Sequence, residues 1–136
     1  QDARFGLPEV DLGILPGAGG IQYVSRLANP SIAKELAMTA NYIPAERAAQ
    51  ENIINSVYKD SELDSAVQEF AESLANKPPL AIQAIKKSAD MATQTGLREG
   101  CEYDRNLLDP LLNSEDHSEA VKAFADEDYD PKFDGK

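Results

Sequence analysis

One glutamate, Glu9, sits where acid–base chemistry has the frame it needs. It is the only acid between Asp2 and Asp11, and it follows Phe5-Gly6-Leu7-Pro8 and precedes Val10. Further on, Pro16 is followed by Gly17, Gly19 and Gly20. Proline fixes φ, and glycine lets backbone amides come close to a ligand. A carboxylate on so stiff a segment, near the free amides of a helix start, can exchange a proton with a bound group. The apolar neighbours Leu7, Val10 and Leu12 are expected to desolvate the carboxyl and raise its pKa. The competing reading is a solvated acid in a strand-to-loop connection.

The glycine run has its own alternatives. No Gly-Lys-Ser/Thr follows it, so it is no phosphate-binding P-loop, and it does not complete the dinucleotide pattern GxGxxG. It can equally be a helix start that packs tightly on a strand. The other reactive side chains read as structural. Cys101 falls in an apolar helical pattern and is expected in the core, and His117 lies in a polar helix-start region and is expected on the surface. Phe70, Met38 and Met91 have helical spacing and are expected in the core, while Glu99 and Glu102 have Arg98 and Arg105 beside them as helix-surface partners. A single cysteine excludes an internal disulfide, and no CxxC or histidine cluster offers a metal site.

The chain of 136 residues is large enough for a modest core, and 42% hydrophobic with 27% charged residues is an ordinary globular balance. Twenty-four acids against 13 Lys and Arg give a net charge of −11. Such a field repels phosphate backbones and anionic lipid, so nucleic acid and membrane are not expected partners. No apolar run reaches the ~20 residues of a membrane span. The start, Gln1-Asp2-Ala3-Arg4, lacks an initiator Met and a signal-like apolar stretch. The expectation is a cytoplasmic protein, or an organelle-matrix protein without its leader.

Around the candidate acid, Phe5 to Leu15 reads as an extended piece with turns, and the glycines open a helix over Ile21 to Leu27. Ser31 is the expected cap for a helix from Ile32 to Ala40, Pro44 begins another from Ala45 to Asn52, and Ile53 to Tyr58 alternates like a strand. Ser61 is expected to cap a helix that buries Leu63, Val67, Phe70 and Leu74 on one face. Pro78-Pro79 starts the next, with Ala81, Ile82, Ile85 and Ala89 inward and Lys86-Lys87 outward. A helix over Leu97 to Leu112 is expected to be interrupted at Pro110, Ser118 to cap a last one through Phe124, and Asp126 to Lys136 to fray. Mostly helical, with two or three short strands, the chain reads as part of a larger α/β layer, because a lone strand pair is not stable alone.

The segment Phe5-Gly-Leu-Pro-Glu-Val-Asp-Leu-Gly-Ile-Leu-Pro-Gly-Ala-Gly-Gly20 resembles the central motif of the crotonase family, the enoyl-CoA hydratases and isomerases. The resemblance continues through Ala33-Lys34-Glu35-Leu36 with Thr39, Ile43-Pro44-Ala45-Glu46-Arg47-Ala48, Leu74-Ala75-Asn76-Lys77-Pro78-Pro79-Leu80-Ala81, Lys86-Lys87 and Ala123-Phe124. It implies the C-terminal half of a crotonase domain. Residues 1–60 would close the β-β-α spiral core, and 61–136 would form the helical C-terminal region through which the family trimerises, often into hexamers. It also implies that Glu9 exchanges a proton with the acyl chain of a coenzyme A thioester. The Gly17 amide would face the catalytic water, and Pro8 and Leu12 would line the acyl pocket. The thioester is substrate, and no cofactor is implied. Two oxyanion-hole amides and the hydratases' second glutamate come from segments before Phe5, so this chain alone does not assemble the site. Where the family ends in a basic stretch, this chain has Phe124-Ala125-Asp126-Glu127-Asp128. The implied activity is hydration of a 2-enoyl-CoA in fatty-acid or related metabolism. The alternatives are a Δ3-Δ2 isomerase, or a non-catalytic module that forms oligomers.

Overall fold

Asn29 and Pro30 set the helix on which the first part of the molecule is assembled. In the computed structural model, which describes residues 2–136, the Asn29 side-chain oxygen accepts hydrogen bonds from the amides of Ser31 (2.9 Å) and Ile32 (3.1 Å). Pro30 then takes the first helical position, where its missing N–H is no loss. The cap is therefore Asn29 and not Ser31, which lies inside the first turn of the helix Pro30–Thr39. Ala33, Leu36 and Ala37 of this helix are buried.

The described residues divide into two compact units, one running to Ala66 and one spanning Val67–Lys136. In the first, strand β1 (Arg4–Phe5) pairs antiparallel with β2 (Ile43–Pro44), Phe5 opposite Ile43. Between them come a 3₁₀ turn (Pro8–Leu12), helix α1 (Gly20–Leu27) and α2 (Pro30–Thr39); α3 (Ala45–Gln50) follows β2. Leu36, Ile43 and Ala48 form the core, and Phe5, Leu7, Val24, Ile32, Ile53 and Ile54 pack against it. Arg47 on α3 joins α2 through Glu35 at 2.8 Å. Pro44 stands just before the first helical residue, not inside the helix, and supplies no side-chain cap; the helix stops at Gln50. No strand forms over Ile53 to Tyr58: Ile53 and Ile54 turn into the core instead, and no described strand lies beside them to pair with. Met38 stands 71% exposed, outside this core.

Helix α4 (Asp60–Ala75) starts one residue before Ser61, so Ser61 does not cap it, and the border between the units falls within it. The second unit continues with α5 (Pro79–Ala92), α6 (Leu97–Leu112) and α7 (Glu115–Ala125). Pro110 does not interrupt α6. It stands near the helix's end, where losing one hydrogen bond is tolerated. Ser114, not Ser118, caps α7 by accepting from the His117 amide at 3.0 Å, while Ser118 lies within the helix. His117 is exposed, Met91 half-buried, and Arg98 pairs with Glu102 on the surface of α6 at 3.5 Å. Midway along α7, Glu119 accepts from Lys122 (2.7 Å) and from the Tyr129 hydroxyl (2.6 Å). These bonds hold the Glu119 carboxyl below its ordinary pKa and raise that of Lys122 and of Tyr129.

Burial departs most from expectation here. Leu63, Val67, Phe70 and Leu74 do share one stripe of α4, yet they stand 46, 56, 66 and 41% exposed. Ile85, Ala89 and Cys101 are exposed as well. Among the described residues from Val67 onward no apolar side chain is fully buried; only Ser114 and Asp116 are. The chain exposes 10136 Å². Two separate compact bodies of half its mass would expose roughly 8,400 Å². These helices have their polar and apolar faces in order, yet most of the large apolar side chains of α4 and several of α5 and α6 stand exposed. We expect the isolated 136-residue chain to bind hydrophobic dyes and self-associate, with a broad melting transition. A monodisperse monomer with a sharp two-state transition by sedimentation and calorimetry would contradict this.

Candidate active site

Glu9 is carried by the 3₁₀ turn Pro8–Leu12, which its own sequence closes at both ends. Pro8 presets the first φ, and Gly13 ends the turn in the left-handed region (φ 72°), where glycine carries no penalty. The Gly13 amide donates to the Val10 carbonyl (2.9 Å) and the Ile14 amide to that of Glu9 (3.3 Å), which fixes the backbone that follows the acid. Leu7 anchors the entry by packing on the Leu36–Ile43–Ala48 core.

The Glu9 side chain is half-buried, and its Oε2 is shielded from solvent without any hydrogen-bond partner. A buried carboxylate oxygen without a donor is costly, and most buried polar groups avoid it. A solvated surface acid does not look like this, nor does a structural acid, which would spend its oxygens on amides or cations. The arrangement leaves one oxygen available for proton transfer.

The glycine run meets this turn at one point. A Cβ on Gly20 would lie 2.6 Å from Leu7 Cδ2 and 3.2 Å from Pro16 Cβ, so an added carbon would force Leu7 to shift where the start of α1 closes onto it. Gly19, the residue before the helix, has φ 93°. Gly17 differs from both: it is exposed, it does not use a left-handed backbone, and the nearest atom to an added Cβ is the Leu15 carbonyl oxygen at 3.9 Å. Packing within this chain gives no reason for a glycine there.

Of the remaining predicted residues, Pro8 is half-buried beside Glu9, and Leu12 stands 77% exposed at the end of the same turn. Val10 is 42% exposed, so of the three apolar neighbours expected to shield the acid only Leu7 is held inward. The structure thus brings Glu9, Pro8, Leu7 and Gly20 together and leaves Leu12 and Gly17 facing outward. Sequence reasoning passed over the Leu7–Gly20 contact; the signal was Gly20 itself, since a helix that opens on glycine has given up propensity for close approach. Among the described residues no group of three or more His, Cys, Asp or Glu is placed to hold a metal ion, and no helix is long and apolar enough to cross a membrane.

The family model described as enoyl-CoA hydratase/isomerase matches residues 1–136. A protein of Arabidopsis thaliana named probable enoyl-CoA hydratase 2, mitochondrial, is 39% identical over 126 residues, covering 93% of this chain and 42% of that protein. The 2,3-dehydroadipyl-CoA hydratase of Escherichia coli K12 is 36% identical over 137 residues, covering 100% of this chain and 53% of the relative. The crystal structure of an enoyl-CoA hydratase from Bacillus anthracis superposes with a TM-score of 0.94 at 30% identity, over 98% of this chain and 52% of that one. The chain spans about half the length of the curated relatives it matches.

The two glycines separate on stability. Gly20→Ala should destabilise the complete protein by ~1–3 kcal/mol through overpacking against Leu7 and Pro16. Gly17→Ala should stay within ~0.5 kcal/mol of the parent. Denaturant titrations of both variants check this; equal losses would mean that the two positions are not distinguished by packing.

Proposed function

The chain belongs to the enoyl-CoA hydratase/isomerase family, and we propose that it is the part of a 2-enoyl-CoA hydratase that carries one of the two proton-handling carboxylates. Its fold is a mostly helical part of the crotonase-type α/β spiral. Relatives named as hydratases and dehydratases of acyl-CoA compounds support a lyase reading over the isomerase. The observation that carries the proposal is the Glu9 Oε2, buried and without a hydrogen-bond partner on a turn fixed by Pro8 and Gly13.

In the proposed reaction water adds across the double bond next to a thioester carbonyl. The water oxygen bonds to the β-carbon and its proton passes to a second carboxylate. The π electrons move toward the carbonyl, where two backbone amides stabilise the developing oxyanion. Glu9 then delivers its proton to the α-carbon, so that a C–O and a C–H bond replace the π bond. The second carboxylate and the oxyanion amides belong to parts of the protein outside this chain. A carbon acid is weak and its protonation slow, so the proton donor has to be held at hydrogen-bond range of one carbon, which a rigid turn provides. The Gly17 amide faces the water, a reading supported by the open space at this position, where an added Cβ would meet nothing closer than 3.9 Å. Pro8 and Leu12 line the acyl pocket once the rest of the protein covers them. We further propose an acyl-CoA substrate in fatty-acid or related metabolism, no cofactor, a cytoplasmic protein, and a trimer or hexamer of the complete chain.

In the complete protein Glu9→Gln keeps the shape and removes the proton. Turnover should fall ~10²–10⁴-fold with KM little changed. Turnover within a few-fold of the parent would rule out Glu9 as the proton donor.

A second substitution tests the water-facing glycine. Gly17→Ala should lower the hydration rate far more than its melting curve explains. Activity that falls only with the folded fraction would leave Gly17 outside the site.

A further inference from the structure

The residues after α7 were expected to fray, yet they lie back along that helix. Pro131, Phe133 and Gly135 are half-buried while Lys132, Asp134 and Lys136 face solvent, the alternation of an extended segment laid on a surface. Tyr129 ties its start to Glu119 at 2.6 Å.

Its end is tied at the start of α7, by bonds that run in both directions. The Asp116 carboxylate, 2% exposed, accepts from the amides of Asp134 (Oδ1, 2.9 Å) and Gly135 (3.2 Å to each oxygen). The Lys136 carbonyl in turn accepts from the amides of Glu115 (2.7 Å) and Asp116 (3.4 Å). The first amides of a helix have no partner within it. Ser114 satisfies that of His117, and the extended segment satisfies the two before it.

Gly135 is the tightest point. Its φ of 74° is one that side chains rarely adopt, and a Cβ there would lie 3.2 Å from Cγ of Pro79, the first residue of α5. One residue therefore touches the start of α5 while its amide is held by the start of α7. The space between the segment and α7 is a polar cleft of about 360 Å³, lined by Glu115, Glu119, Lys122, Lys132 and Asp134 among others. Hydrogen bonds, more than apolar burial, keep the segment in place.

We propose that residues 126–136 are a strap, and that its clasp, the Asp116 carboxylate on the amides of Asp134 and Gly135, fixes the start of α7 against the start of α5. The clasp is local. Opening it frees the strap and the first turn of α7 and leaves the α5–α6 pair in place, because the bonds that break all lie at the start of α7.

Amide hydrogen exchange on the complete protein tests this. Asp116→Ala should speed exchange at Glu115, Asp134 and Gly135 by at least ~10-fold, the loss of charge-assisted bonds, and leave the amides of α6 unchanged. Gly135→Ala, with the carboxylate intact, should give the same pattern, and Asp116→Asn, which keeps one acceptor oxygen, an intermediate one. Unchanged protection at Asp134 and Gly135 in Asp116→Ala would overturn the proposal. So would an equal loss of protection throughout α6, which would make Asp116 a folding residue of the whole unit, and so would a silent Gly135→Ala.

Discussion

The first unit depends on how closely the start of α1 can approach Leu7. Leu7 faces two ways: it packs on the Leu36–Ile43–Ala48 core, and Gly20 comes so near that a single added carbon would overlap it. The next residues are Pro8 and Glu9. A methyl group on Gly20 would push on Leu7, and Leu7 sets where the 3₁₀ turn leaves the core. The position of the carboxylate is thus fixed by a contact between two residues with no acid–base chemistry of their own. The general-acid role proposed for Glu9 needs this kind of support, because a general acid's efficiency falls steeply with distance from the reacting atom.

Local chemistry made much of this legible. The prolines and glycines around Glu9 predicted a stiff turn and a helix start, and both are present because φ restrictions act within a few residues. The helices α4, α5 and α6 also lie close to where their periodicity put them, since an amphipathic repeat is a property of the segment itself, while α7 starts earlier than expected. Caps were read less well. Asn29 and Ser114 outdid Ser31 and Ser118, because in each case the residue just before the first turn reaches its free amides and one already inside the helix does not. Long-range facts stayed hidden. Nothing local says that Ile53 and Ile54 find a core instead of a strand, or that Asp116 reaches forward to Gly135. In the candidate site, Glu9 and its frame could be read, but the outward positions of Leu12 and Val10 could not, because a pattern shows which side chains are apolar and not whether a surface is there to meet them.

The two units hold together by different physics. The first has a small apolar core in which Ala33 and Ala48 are fully buried, and alanines let its short elements pack closely. The second buries no apolar side chain completely. Its two buried residues are Ser114 and Asp116, both at the start of α7 and both satisfied by hydrogen bonds. A unit organised around satisfied polar groups gets a defined geometry from them but little net stability, since each such bond replaces one to water.

That difference bears on the uncovered apolar stripes. An exposed amphipathic face such as Leu63, Val67, Phe70 and Leu74 leaves the chain prone to association. Between Asp60 and Ala75 the polar positions of α4 carry five acids and no Lys or Arg. An apolar stripe flanked only by acids resists pairing with an identical stripe in parallel register, because the flanking charges would then meet their like. A covering surface suits it better when it brings neutral or basic residues to the rim. The family match spans the whole of this chain, while the chain spans about half of each relative. Charge and exposure together make the acid-flanked apolar stripe of α4 the part of this chain least suited to meeting its own like.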